Sequence, residues 1–304
     1  MNVLVLGGSR QIGLHLVRLL HSQGHTVTVL NRGQTQVSLP IDVNKIVADR
    51  SVAEQVKTVL DGREYDTVFD ISGYRPSEIE PVLDVLEGNV RHYVFCSTVA
   101  VYSPKIGAMP ILEDSPLNRY SNADDYSREK ILCEDLLLER FIRSGFPVSI
   151  IRPPYVYGPR DQEVQRLFSI FSKLSLGRKL IAPGEGNALT HSVHVNDLVT
   201  AFTTIPGRAE ALGEVFTVAG LEAVTFNGYI DLFDAGPTLH AKDHQIKTFN
   251  NTKNYHISDI KLEDWFFPFV LDSFKFLKSF LLFFPNSISH SSRHLFLYFV
   301  SFIL

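Results

Sequence analysis

From Val3 to Ile151 the chain alternates short apolar, β-branched runs with longer stretches whose apolar residues return every three or four positions. A run of the first kind fits a strand buried on both faces, and the second fits a helix with one apolar stripe. The pattern predicts strands at Val3 to Leu6, Thr26 to Leu30, Lys45 to Val47, Thr67 to Ile71, Tyr93 to Ser97 and Val148 to Ile151. Between them Leu14, Val17 and Leu20 mark one helix face, and Val82, Val85 and Leu86 another. A third helix runs from Tyr126 to about Arg143 and stops at Ser144-Gly145, where glycine suits a helix end. Strands and helices that alternate at crossover spacing predict an α/β fold with a doubly wound parallel sheet, up to about residue 220.

The carboxyl-terminal segment reads differently. Eleven of the 22 phenylalanines stand at or after Phe266, mixed with serines and histidines and without a clean period. Lys278, Pro285 and Arg293 interrupt its apolar runs. The last run, Leu295 to Leu304, falls short of the ~20 residues that cross a bilayer, so no membrane anchor is expected. An amphipathic packing element, or an aberrant gene end, remain as its readings.

Composition narrows the function classes. The 304 residues are 45% hydrophobic, enough for a large core, which excludes wholesale disorder. Lys and Arg number 29 against 33 Asp and Glu, a net charge of -4 with no basic block, so nucleic acid is not the expected partner. The two cysteines, Cys96 and Cys133, each lie in apolar surroundings, which suits buried, reduced thiols. The amino terminus enters a strand directly, without a charged leader, and the expected location is the cytoplasm.

Candidate chemistry begins after the first strand, at Gly7-Gly8-Ser9-Arg10-Gln11-Ile12-Gly13. Small residues there let the backbone turn sharply and bring amides at a helix start against a diphosphate. The strand before, the helix after and a second strand ending near Leu30 give the motif its dinucleotide-binding, Rossmann-type context. At that second strand's end stand Asn31-Arg32-Gly33, where an NAD site usually carries an acid for the ribose hydroxyls. Arg32, with Arg10, suits a 2′-phosphate instead, so NADP is expected, with NAD as the alternative. A solvated turn residue is the plain reading of Arg32. Asp49, past the third strand, is placed to accept from an adenine amino group, or to lie exposed at a strand end.

Tyr126 and Lys130 are four apart, one turn along a single helix face. An ammonium beside a phenol favours the phenolate, so Tyr126 is the candidate acid/base and Lys130 its electrostatic partner and a ligand of the nicotinamide ribose. Ser97 and Thr98, at the carboxyl end of the fifth strand, lie where parallel sheets bind ligands, and a hydroxyl there can polarise a reacting carbonyl. Taken separately, a tyrosine and lysine at this spacing also occur on exposed helices, and two hydroxyl residues at a strand end are common turn formers.

In order, Gly7 to Gly13, Asp49, Ser97 to Tyr102, Tyr126 to Lys130, Arg152 to Pro159 and His194 to Leu198 resemble the extended short-chain dehydrogenase/reductase superfamily, the NAD(P)-dependent epimerases, dehydratases and reductases. The resemblance covers residues 1 to 220. It implies Tyr126 as acid/base, Lys130 as its partner, Thr98 as the active hydroxyl with Ser97 beside it, and cofactor contacts at Ile71, Ser72 and Pro153. It also implies a nucleotide sugar as substrate and a homodimer. Three departures stand out: Arg10 replaces the middle glycine, Ile71-Ser72-Gly73-Tyr74 replaces a small, alanine-rich run, and the chain past Leu221 lacks the family's closing pattern. The first, together with Asn31-Arg32-Gly33, makes the chain look like an atypical branch that includes plastid RNA-associated proteins.

The expected organisation is therefore a Rossmann domain over 1–165, rejoined by 190–220, with 166–189 and 221–304 forming a smaller substrate lobe. Arg152 is expected either in the ligand crevice or in an ion pair, and Pro183 to Gly186 in a turn. His191 and His194 lack the partners of a metal site. His194 is expected against the hinge of the substrate lobe, with Asp197 capping the next helix. Two functions follow: hydride transfer on a nucleotide-linked sugar or similar carbinol or ketone, or a non-catalytic dinucleotide-binding or RNA-associated scaffold.

Overall fold

The apolar runs form strands within one residue of the expected limits: β1 (Asn2–Leu6), β2 (Thr26–Asn31), β3 (Asn44–Val47), β4 (Thr67–Asp70), β5 (Tyr93–Cys96) and β6 (Val148–Arg152). In the computed structural model the described residues are 1–103, 110–120, 123–159, 180–182, 184–234, 245–248 and 252–254, all within the unit Met1–Ser258. The Phe-rich end and residues 160–179 lie outside them.

β1 to β6 and β10 (Val215–Thr217) build one seven-stranded sheet, in the order β10-β6-β5-β4-β1-β2-β3, all parallel. The order reverses at β1, which pairs with β2 on one side and β4 on the other. A ligand crevice opens at such a switch point, beyond the carboxyl ends of the strands. Register brings those ends level: Leu6 is opposite both Leu30 and Asp70, Asp70 is opposite Phe95, and Cys96 is opposite Ile151.

Alternate residues of a strand face opposite sides, so each strand feeds two cores. Leu4 and Leu6 of β1 join the apolar layer shared with α2 (Ala53–Leu60), α3 (Pro76–Leu86) and α4 (Asp125–Ser144). Val3 and Val5 join the layer of α1 (Gln11–Ser22) and α5 (Val195–Thr204). The face read from Leu14, Val17 and Leu20 is fully buried on α1. On α4, Asp124 caps the start by accepting from Ser127 N at 3.0 Å, and Gly145, at φ 72°, ends it in the left-handed conformation.

Two small sheets lie beyond. β7 (Tyr155–Tyr157) pairs parallel with β9 (Leu189–His194), which pairs antiparallel with β11 (Ala223–Thr225); β8 (Leu180–Ala182), β12 (Gln245–Thr248) and β13 (Thr252–Asn254) form the other. They are short and carry no long apolar run. α6 (Phe226–Asp234) follows β11. Gly184 to Gly186 lie in a turn, and Pro183 is outside the described residues.

One expectation is corrected. His194, not Asp197, caps α5: its Nδ1 accepts from Asn196 N at 3.3 Å, and Asp197 sits in the first helical turn. An imidazole at the last β9 position reaches the free amides first, while an acid inside the turn can only favour the helix dipole. The His194 ring also packs edge-on against Tyr157, centroids 5.3 Å apart.

Candidate active site

The glycine turn is shaped by close approaches. Gly7 has φ 96°, and a Cβ there would lie 2.5 Å from Ser72 Cβ; at Gly13 a Cβ would lie 2.3 Å from Gly7 O. Neither position admits another residue without displacing backbone. Arg10 is the N-cap residue of α1, exposed and extended, and its side chain makes no cap bond. The amides of a first helical turn lack internal partners, so the turn presents an uncapped helix start at the switch point. Gln11 reaches across from this turn, donating to Val156 O of β7 at 3.2 Å.

At the ends of β2 and β3 lies an open recess of about 240 Å³, lined by Arg32, Gln34, Val47, Ala48, Asp49 and Gln55. Asn31 is spent on the turn, where its Oδ1 accepts from Gly33 N at 2.8 Å. Asp49 accepts from Ser51 Oγ and Ser51 N, and these bonds hold its carboxyl below the usual range. Arg32 is exposed beside it.

At the end of β5, Thr98 caps a single 3-10 turn, Val99–Val101, its Oγ1 accepting from Ala100 N at 3.2 Å. That bond uses a lone pair and leaves the O–H able to donate. Val99 N is held by the carbonyl of Pro153, at 3.0 Å. Ser97 is buried, and its Oγ is without a hydrogen-bond partner among the described residues. A buried orphan hydroxyl is costly, which suits a position that meets a ligand.

Lys130 is 2% exposed and lies on the buried face of α4. Its Nζ donates to Cys96 O at 2.6 Å and to Gly73 O at 2.7 Å, and sits over the rings of Phe95 and Tyr74 at 4.6 and 4.9 Å. Burial lowers its pKa, against the opposing pull of Cys96 and Asp70. An ammonium has three donors, and two are engaged by protein carbonyls among the described residues. Tyr126, one turn earlier, is 44% exposed, its ring 6.0 Å from that of Tyr74. α4 thus carries a half-exposed tyrosine one turn before a buried cation.

The structure adds groups that the sequence reading passed over. Asp70, fully buried at the end of β4, takes both prongs of Arg50 at 2.5 Å, the hydroxyl of Tyr93 at 2.5 Å, and the amides of Ser72 and Gly73 at 3.2 and 2.9 Å. Burial opposes its charge, but the guanidinium and these bonds hold its carboxyl below the ordinary range. Arg50 also donates to Ser72 Oγ and Glu78 O. An acid closing the apolar run Thr67-Val68-Phe69 was the available signal. Arg152 resolves to an ion pair, donating from Nε and Nη2 to Glu134 of α4 at 3.0 and 2.6 Å. His191 Nε2 donates to Gly220 O at 2.7 Å.

The profile of the NAD dependent epimerase/dehydratase family matches residues 3–219. The chain belongs to this family. Among relatives it is 33% identical, over 240 residues, to the chloroplast stem-loop binding protein of 41 kDa b of Arabidopsis thaliana, covering 74% of this chain and 60% of that protein. The chain thus spans less than two thirds of the length of that relative. It is 24% identical to an uncharacterized UDP-glucose epimerase of Bacillus subtilis, over 80% of this chain and 85% of that one. Two solved structures share the family fold at a TM-score of 0.67. The Thermotoga maritima UDP-glucose 4-epimerase with UDP-glucose is 22% identical, with 77% of this chain and 82% of that chain covered. The Bacillus anthracis dTDP-glucose 4,6-dehydratase with NAD is 18% identical, with 82% and 84% covered. The family's dinucleotide suits the tight turn that Gly7 and Gly13 permit before the uncapped start of α1, and the buried hydroxyl of Ser97 that has no partner among the described residues. No helix among the described residues is long and apolar enough to cross a membrane.

Proposed function

We propose that the chain is an NAD(P)-dependent enzyme that oxidises a carbinol or reduces a ketone on a nucleotide-linked sugar, as an epimerase, dehydratase or reductase. The observation that carries this reading is Lys130 buried one turn from the half-exposed Tyr126, with the hydroxyls of Ser97 and Thr98 at the neighbouring strand end. Relatives named as a UDP-glucose 4-epimerase and a UDP-N-acetyl-alpha-D-glucosaminuronate decarboxylase support the substrate class.

The amides of Gly8 to Gly13 would hold the diphosphate, Asp49 the adenine, Ile71, Ser72 and Pro153 the walls of the groove, and the third donor of Lys130 the nicotinamide ribose. Arg32, with Arg10 at the start of α1, supports NADP over NAD, because a guanidinium pairs with a phosphate more strongly than with ribose hydroxyls. A bound nicotinamide ring supplies the hydride exchange. Tyr126 then gives or takes the proton at the substrate oxygen, and the Thr98 hydroxyl donates to that oxygen as charge grows on it. Lys130 stabilises the phenolate in between.

The test is thermal unfolding with each nicotinamide dinucleotide, followed by turnover of UDP- and dTDP-sugars. A ligand at a hundred times its Kd adds about 2.7 kcal/mol to stability. No rise in Tm with any of the four dinucleotides would overturn the reading. A second reading, an RNA-associated scaffold, is favoured by the Arabidopsis relative named for stem-loop binding. It requires stem-loop RNA affinity that falls steeply with salt and survives Tyr126→Phe, and the net charge of -4 counts against it.

A further inference from the structure

We propose that Arg50 and Asp70 are positioning residues for Lys130: the buried pair fixes the Gly73 carbonyl, and that carbonyl sets where the ammonium sits in the cofactor groove. The inference rests on the proposed hydride-transfer reading and extends it to residues that no ligand would touch.

Where the family resemblance leads to an alanine-rich run, this chain turns Ile71 to Tyr74 around a carboxylate. Asp70 accepts from the amides of Ser72 and Gly73, and Arg50 adds a bond to Ser72 Oγ at 3.1 Å. The segment is thereby tied at two consecutive amides and one side chain. A Cβ at Gly73 would lie 2.5 Å from Ile79 and 2.9 Å from Asp70 Oδ2, so the turn has no slack. Its carbonyl is one of two that hold Lys130 Nζ, and its next residue, Tyr74, covers the ammonium with its ring. The other carbonyl, of Cys96, belongs to a strand and is fixed by the sheet. The Gly73 carbonyl belongs to a loop and needs a clamp.

The titratable and charged groups around Lys130 among the described residues are Cys96 from β5, Cys133 and, one turn earlier, Tyr126 from its own helix, Tyr74 and Asp70 from the β4 end, and Arg50 from the loop after β3. Burial pushes the two thiols up, to about 11 and about 12, and the Tyr74 phenol is also raised by burial. These three are uncharged at neutral pH, whereas Arg50 and Asp70 both act on Lys130 as charges.

The experiment uses the full chain with Arg50→Met and Asp70→Leu combined, which removes the clamp without stranding a buried charge. Two readouts are taken where the protein is folded by near-ultraviolet circular dichroism. One is acylation of Lys130 by acetic anhydride, read by mass spectrometry. The other is NADH and NADPH affinity, read from nucleotide fluorescence. A clamp predicts Lys130 labelled about fivefold faster through local opening, and reduced dinucleotide bound about tenfold more weakly through a misplaced donor. Should the double variant fail to fold, Arg50→Lys, which keeps the charge but loses the two-pronged bond, is read the same way, with smaller changes of the same sign. Parental labelling and parental affinity in a folded variant would overturn the clamp while leaving the enzyme reading in place. A parent protein that binds no dinucleotide at all would overturn both.

Discussion

Among the described residues, two buried arginine–carboxylate pairs, one anchored on the helix that carries Lys130 and one at the end of β4, are built alike but connected differently. Arg50 grips Asp70 at the β4 end, and Arg152 grips Glu134 on α4, each with two bonds and each carboxylate at most 1% exposed. The further bonds of Arg50 and Asp70 go to the loop at Ser72 and Gly73, which walls the proposed cofactor groove. Those of Arg152 go to the Glu113 carbonyl, and its guanidinium lies over the Tyr102 ring, whose hydroxyl meets Thr217 of β10. One pair therefore ends on a loop that touches the candidate site, and the other ends on framework. Equal burial does not imply equal function; what the remaining donors hold decides it.

Single substitutions test the likeness first. Asp70→Asn and Glu134→Gln each leave a buried guanidinium without its counter-charge, and each is expected to cost about 3 to 5 kcal/mol by chemical denaturation. A loss under about 1 kcal/mol at either site would show that its pair is not dry in solution. The pairs should then part in function. With Arg152→Met and Glu134→Leu combined, the dinucleotide affinity stays near the parental value while stability falls, the reverse weighting from the Arg50 and Asp70 pair. Equal loss of affinity in both double variants would erase the distinction.

The next effect concerns what the clamp serves. Tyr126→Phe removes the proposed proton carrier and is expected to leave the fold intact, since the residue is half exposed. Turnover is expected to fall by about 10² or more with dinucleotide affinity retained, measured by steady-state kinetics on a sugar nucleotide that the parent converts. Retained turnover would move the acid/base role elsewhere, and Tyr74, with its ring against that of Tyr126, would be the group to test next. Arg32→Glu comes after: NADP should weaken by about tenfold relative to NAD in paired titrations. Equal weakening of both would show that Arg32 does not read the 2′-phosphate.

The sheet was legible because buried parallel strands are continuous apolar runs, and the six runs from Val3 to Ile151 have few competitors in their neighbourhood. The glycine turn was legible for a similar reason, since Gly7 and Gly13 serve backbone contacts that local spacing reveals. The Arg50–Asp70 clamp was not, because it joins residues twenty apart through a register that only the folded sheet defines. The same holds for Lys130, whose four-residue spacing from Tyr126 gave the pair but not the two backbone carbonyls that hold the ammonium. The strands β7, β9 and β11 escaped because they are only partly buried and, in β7 and β11, three residues long, so no continuous apolar run marks them.

The smallest expected effect is the pH signature of the clamp. Asp70 has its pKa lowered in the folded protein by Arg50 and the bonds around it, so folding favours its ionised form. The native state then binds fewer protons than the unfolded chain in the interval between the native value and the unfolded one of about 4. The contribution of Asp70 is complete above that unfolded value and disappears as pH falls through the native one. Stability of the parent should therefore drop more steeply than that of Asp70→Asn as pH is lowered from 5 toward ~3, and the two denaturation midpoints should approach each other in acid. Parallel midpoints across this range would mean that Asp70 titrates alike in both states, and that the two-pronged bond to Arg50 is not held in solution.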